Sequence, residues 1–64
     1  MPPKYKEIQK RLEEDGWRLK GQSGSHMQFV HPVKKGKVTM AGKPSGTPPD
    51  GTYLSILRQA GLKR

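Results

Sequence analysis

The apolar positions of this chain fall into short groups, each with its own period. In residues 4–15 they are Tyr5, Ile8 and Leu12, spaced i, i+3, i+7, the stripe of an amphipathic helix. Pro2 and Pro3 precede it, and proline is tolerated where a helix opens. Glu7 and Arg11, four apart, are expected to pair on the wet side. Gly16 supplies the stop: a glycine just past the last turn takes the left-handed conformation cheaply, and Trp17 can then fold back on Leu12. Glu13, Glu14 and Asp15 crowd the negative end of the helix dipole, and nothing local accounts for that acidic cluster.

After the glycine the period changes to two. Residues 17–20 alternate apolar and basic, as in a half-buried strand with Trp17 and Leu19 inward. Residues 21–25 are rich in Gly and Ser and predict a turn. Residues 26–31 predict a second strand, with Met27, Phe29 and His31 on one face and His26, Gln28 and Val30 on the other. Pro32 cannot donate to a ladder and ends it. Residues 33–36 turn again, and residues 37–41 predict a third strand with Val38 and Met40 inward. Strands joined by such short turns form an antiparallel meander. Residues 42–51, with three prolines and three glycines, form a loop, either a plain connector or, through Lys43, a substrate-side segment. Thr52 is a good N-cap for a second helix carrying Tyr53, Ile56, Leu57 and Ala60 at i, i+3, i+4, i+7. Gly61 and Leu62 repeat the first stop, and Arg58 suits the dipole at that end. Lys63 and Arg64 form a tail that is expected to fray.

The expected fold class is therefore α+β, in the order α-β-β-β-α. It is a single domain over residues 1–64, with a three-stranded antiparallel sheet, two helices on one face and the other face open. Double-stranded-RNA-binding domains share this order, which by itself says nothing of function.

Composition narrows the choices. A chain of 64 residues, 30% apolar with mean hydropathy −0.94, supports only one thin core. That excludes a Rossmann domain, a barrel enzyme or any two-lobed site. The chain has no cysteine, so disulfide frameworks and thiolate zinc sites are excluded. No apolar run approaches a membrane span, and the N-terminus lacks the apolar core of a signal peptide, so the cytoplasm is the expected compartment. Thirteen basic against five acidic side chains give +8. Residues 1–32 contribute six basic and four acidic side chains, residues 33–64 seven and one. So strong and lopsided a charge points to a polyanionic partner, nucleic acid above all.

Few residues here can do chemistry near neutral pH. His26 and His31 are five apart in one predicted strand and point to opposite faces, so they cannot share a metal. The only carboxylate in the second half is Asp50, and neither a metal nor another cofactor is expected. Ser25 and His26 are adjacent and face opposite ways, so they do not make a nucleophile–base pair. What remains is one histidine in a basic setting. Histidine exchanges protons near neutral pH, with an unperturbed pKa of about 6.5. RNA carries its own nucleophile in the 2′-hydroxyl, so a single positioned base could cleave it without a metal. His26 can equally be an ordinary strand-end histidine.

Several residues here resemble one family in order and spacing. Gly24, Ser25 and His26, followed by Phe29 and then His31 and Pro32, resemble the central motif of the HicA toxins, YcfA-like mRNA interferases. Leu12, Gly16 and Trp17 fit the same pattern, as do Val38, Thr39 and Met40 and the stretch from Gly51 to Leu62, so that the resemblance spans nearly the whole chain. It implies a double-stranded-RNA-binding-like fold, toxicity through RNA (mRNA) cleavage, and neutralisation by a HicB-type antitoxin. It implies His26 as the catalytic histidine, with Gly24 permitting the turn and Ser25 beside it in the motif. The further histidines that many members carry are absent: Met27 follows His26, and Lys43 stands after the third strand. Lys20, Lys34, Lys35, Lys37 and Lys43 are candidates for phosphate contacts, or else a solvated basic face. Two other functions fit the same sequence: a non-catalytic RNA-binding module, and an adaptor whose charge docks an acidic protein.

Overall fold

Two glycine stops and three changes of chain direction divide the molecule into five elements. In the computed structural model, which describes residues 2–63, these are α1 (Tyr5–Glu14), β1 (Arg18–Ser23), β2 (His26–Val30), β3 (Lys37–Ala41) and α2 (Asp50–Ala60). Arg64 lies outside the described residues. The strands form one antiparallel sheet in the order β1-β2-β3. The α-β-β-β-α fold class expected from the sequence is therefore the observed one.

Both helix stops work as the sequence predicts. At the end of α1 the Trp17 amide donates to the Leu12 carbonyl at 3.0 Å and the Gly16 amide to that of Glu13 at 3.1 Å. At the end of α2 the Leu62 amide reaches Leu57 at 2.8 Å and that of Gly61 reaches Arg58 at 3.1 Å. These paired 6→1 and 5→2 bonds satisfy carbonyls that would otherwise lack partners. The helix starts differ from expectation. The Lys4 amide donates to the Glu7 carboxylate at 2.9 Å, and the amides of Tyr5 and Lys6 donate to the carbonyls of Gly46 and Pro44. Residues 42–49 are thus a connector that also caps α1. With Glu7 so engaged, the expected Glu7–Arg11 pair is replaced. Arg11 turns to α2 and donates to the Tyr53 hydroxyl at 3.3 Å and to the Lys63 carbonyl. The second helix begins two residues before Thr52. Pro49 is its N-cap, with φ −61°, and its carbonyl accepts the Tyr53 amide at 3.0 Å. Proline has no amide to orphan, and its fixed φ suits a helix entry.

The core is one cluster. Tyr5, Ile8 and Leu12 of α1, Trp17, Met27 and Phe29 of β2, Val38 and Met40 of β3, and Tyr53, Ile56, Leu57 and Ala60 of α2 are all buried. Both helices thus cover the same sheet face, and the shortest dimension of the molecule, 17 Å, is that of one helix layer on one sheet. β1 contributes nothing to the core: all six of its residues are exposed. Leu19 lies opposite Phe29 on the helix side, yet it is 44% exposed where Phe29 is fully covered. The apolar–basic alternation was a sound signal for Trp17, which is buried just before the strand, but β1 is an edge strand that the helices do not reach. Its register also shifts between Leu19 and Gly21, leaving Lys20 as a bulge, a device that blunts free sheet edges. Among the described residues no helix is long and apolar enough to cross a membrane.

Candidate functional site

The uncovered sheet face is assembled from three rows of directly opposed residues. Ser23, His26 and Ala41 form the row at one end, Gly21, Gln28 and Thr39 the middle row, and Arg18, Val30 and Lys37 the far row. All are exposed except Val30, which is half-buried. Residues 16–49, which include the entire sheet, hold six basic side chains and no acidic one. The acidic residues are confined to the two helices and the turn that ends α1, so the open face sees positive charge alone.

His26 owes its place to the hairpin before it. β1 runs on to Ser23, so the turn is shorter than the predicted residues 21–25: only Gly24 and Ser25 separate the strands. Gly24 has φ +60°, and among the described residues only glycines have a positive φ. A positive φ at the first of two turn residues marks the type II′ hairpin, whose twist matches that of the strands. The Gln22 amide side chain braces it by donating to the Gly24 carbonyl at 3.1 Å, and the Ser25 carbonyl accepts the Gly42 amide at 3.3 Å. The turn fixes the register Ser23 opposite His26, which turns the His26 side chain to the open face.

Two hollows meet at His26. The larger, about 410 Å³, runs from His26 over Thr39 and Ala41 to Thr52, Ser55 and Gln59 on α2. The smaller, about 180 Å³, lies on the other side, between His26 and Gln28 of β2 and the end of β1 at Gly21, Gln22 and Ser23. The imidazole is therefore a wall common to both.

The candidate phosphate-binding lysines are spread over the molecule. Lys43 follows Gly42, whose amide is bonded to the Ser25 carbonyl in the turn beside His26. Lys20 is the bulge residue of the β1 edge. Lys37 closes the far row, four residues along β3 from Ala41, roughly 13 Å at about 3.3 Å per residue. Lys35 lies in the turn beyond that end. Lys34 points away altogether: its ammonium donates to the Asp15 carboxylate at 2.6 Å and to the Ala60 carbonyl at 3.0 Å.

His31 is occupied in the same region. It lies just outside β2, which stops at Val30, one residue short of the predicted strand end. Its Nδ1 accepts the amides of Val33 and Lys34, each at 3.0 Å, and Nε2 is 2.8 Å from the Asp15 carbonyl. Two amide donors on Nδ1 place the ring proton on Nε2, which donates to Asp15. The ring packs edge-on against Trp17 at 5.2 Å between centroids. His31 is thus a packing residue, as its face predicted. Asp15, the last residue of the acidic cluster, now has an account too. The Asp15 carboxylate also accepts the Trp17 indole N–H at 3.2 Å. The hydrogen bond from Lys34 holds its pKa below the usual carboxylate value against the cost of desolvation, with the charge of Lys34, the Trp17 bond and His31 acting in the same direction.

Among the described residues no group of three or more His, Asp or Glu side chains is placed to hold a metal ion. Thr39, Ser55 and Gln59 were not singled out by sequence reasoning. Their proximity to His26 depends on how α2 docks along β3, a long-range contact with no local signal.

Comparison with curated proteins finds no match. A family model described as the HicA toxin of bacterial toxin–antitoxin matches residues 5–62, from the start of α1 to the residue after the last glycine stop. With nearly its whole length matched, this chain belongs to the HicA toxin family.

Proposed function

We propose that this toxin is a metal-independent endoribonuclease, an mRNA interferase in which His26 is the catalytic residue. The observation that carries the reading is the exposure of His26 on an acid-free sheet face, between two hollows that flank it. A polyanion can lie on that face without meeting a like charge. With a phosphate beside the imidazole, Nε2 or Nδ1 takes the proton of the adjacent 2′-hydroxyl. The 2′-oxygen forms a bond to phosphorus and the bond from phosphorus to the 5′-oxygen breaks, the leaving oxygen taking a proton. The products are a 2′,3′-cyclic phosphate and a 5′-hydroxyl. One acid–base group typically supplies a 10²–10⁴-fold acceleration, which suits a toxin that needs few cuts per message. Gly24 and Ser25 act by setting the turn that presents His26. Lys43 and Lys20 are the lysines best placed to hold phosphates near it, and Lys37 and Lys35 extend the field along the strand.

A toxin of this family implies an antitoxin. A HicB-type protein is the proposed partner, with an acidic surface that covers the open face and screens its charge. The test of the enzymatic reading is cleavage of RNA in EDTA by wild type and His26→Ala, with circular dichroism to verify the fold. Cleavage by wild type alone supports it. Equal cleavage by both overturns the role of His26. Salt-sensitive binding by a wild type that leaves RNA intact would make the protein a non-catalytic RNA-binding module instead.

A further inference from the structure

Gln59 and Ser55 are exposed on α2, outside the core, yet their side chains are fixed. The Gln59 Oε1 accepts the backbone amide of Thr39 at 3.2 Å, and its Nε2 donates to the Ser55 hydroxyl at 3.4 Å. The Thr39 donor determines which end of the amide is oxygen. One Nε2 hydrogen and the Ser55 hydroxyl proton are then left as donors. The Thr39 amide faces away from β2, so by the alternation of the ladder the N–H and C=O of Ala41 face the same free edge. All of these groups border the larger hollow beside His26.

The character of the two hollows differs. The larger has no charged residue in its lining, and behind it lie Met40 and Ile56 of the core, 1% and 2% exposed. Its volume of about 410 Å³ falls within the ~300–1,000 Å³ usual for small-molecule sites. At about 180 Å³ the other hollow is below that range. A strand that crosses His26 must place one nucleotide on each side. A base has apolar faces and a polar edge, which matches an uncharged hollow with an apolar floor and pre-positioned donors. A sugar and phosphate match the smaller space.

We infer that the larger hollow is a base-selecting site for the nucleotide next to the phosphate at His26, in which Ser55 and Gln59 donate to acceptor atoms on the base edge. The inference rests on RNA being the substrate, as proposed above. It adds the residues that set which base is tolerated beside the cut.

The test uses the whole wild-type chain and 2′-deoxy dinucleotides, which lack the nucleophile and stay intact. Each of the four bases is placed in turn at each position, and binding is followed through backbone amide resonances. Saturable shifts of Thr39, Ala41, Ser55 and Gln59, with unequal affinity among the bases at one position, are the expected result. Ser55→Ala lowers that discrimination about three- to tenfold, the usual worth of one hydrogen bond. Ser55→Leu, which fills the hollow, removes it. Both changes lie on an exposed helix position, and the amide spectrum itself reports whether the variants fold. Resonances of these four residues that stay unmoved, or a base ranking unchanged in both variants, overturn the inference. The outcome is separable from that of the cleavage test. Base-selective binding by a protein that cuts no RNA would refute the role of His26 and keep the site. Cleavage without such selection would do the reverse.

Discussion

The ammonium of Lys34 is 2.6 Å from the carboxylate of Asp15 and 3.0 Å from the carbonyl of Ala60, so one side chain ties together the C-terminal ends of both helices. Asp15 in turn holds the Trp17 indole, and its carbonyl holds His31. In a molecule with one thin core, this polar clamp closes the end of the sheet opposite His26. It also explains why an acidic residue is placed at the negative end of α1: its partner comes from the loop after β2.

The clamp predicts a specific acid sensitivity. The pKa of Asp15 is lowered in the folded protein. Its contribution to stability is therefore present above the ordinary carboxylate pKa, about 3.9, and is lost as pH falls through the depressed folded value. Asp15→Asn should melt below wild type at neutral pH, and the two melting temperatures should begin to converge as the pH drops below about 4 and meet only below the depressed folded value. Thermal melts of both proteins at several pH values measure this. A gap that stays constant down to the acid limit would show that Asp15 acts by shape and not by charge.

Gly16 is the conformational pivot of the same region. Its φ is +107°, and a Cβ built there would lie 2.8 Å from the Nε2 of His31. Gly16→Ala should therefore carry both backbone strain, of about 1–3 kcal/mol, and displacement of the His31 ring. Gly24→Ala, at φ +60° with no atom near its Cβ, carries the positive-φ strain alone, about 1–3 kcal/mol. Urea unfolding should rank Gly16→Ala as the less stable of the two. The reverse order would mean that His31 yields its place easily.

How much of this was legible in the sequence depended on the range of the interaction. The stripe of Tyr5, Ile8 and Leu12, its counterpart from Tyr53 to Ala60, and the two glycine stops are local, and each could be read directly. So could the inward positions of Met27, Phe29, Val38 and Met40, because alternation marks a strand with one covered face. Leu19 was misjudged because alternation cannot tell an edge strand from a central one. Thr52 looks like a cap on its own, whereas Pro49 three residues earlier supplies the cap carbonyl. Asp15 had no rationale in the sequence because Lys34 is 19 residues away. At the candidate site, a compact motif singled out His26, but the Gly/Ser run before it overstated the turn, because β1 continues to Ser23. The Thr39–Gln59–Ser55 chain was not legible, since it joins a strand edge to a helix.

The lysines should divide into two classes. Lys43 is beside the turn that carries His26, and Lys34 is engaged in the clamp. Lys43→Ala is expected to weaken RNA binding and to reduce the slope of log affinity against log salt by about one. Lys34→Ala should lower the melting temperature and leave that slope unchanged. Binding isotherms at three or more salt concentrations, with melts of the same proteins, distinguish the two. A loss of slope in Lys34→Ala would place the RNA on the clamp side of the molecule.

The proposed chemistry makes the 2′-hydroxyl indispensable at one nucleotide only. An RNA with a single 2′-deoxy substitution at the cleaved position should resist the toxin there, while neighbouring sites are still cut. The cut ends should carry a 2′,3′-cyclic phosphate, detected by mass. Cleavage at the deoxy position would require an outside nucleophile, which a lone histidine was not proposed to activate.

The charge distribution predicts how the antitoxin acts. With no acidic side chain in residues 16–49, the open face repels itself, and an acidic partner relieves that repulsion while it covers His26. A partner that binds only the folded state raises its stability by mass action, about 2.7 kcal/mol at a concentration 100 times the dissociation constant. The complex should therefore melt above the free toxin, by an amount that shrinks as salt is raised. It should also hide the amide resonances of Ser23, His26 and Gln28 from a soluble relaxation agent. A partner that raises the melting temperature but leaves those resonances accessible would be docked elsewhere, and inhibition would then have to act without covering the histidine.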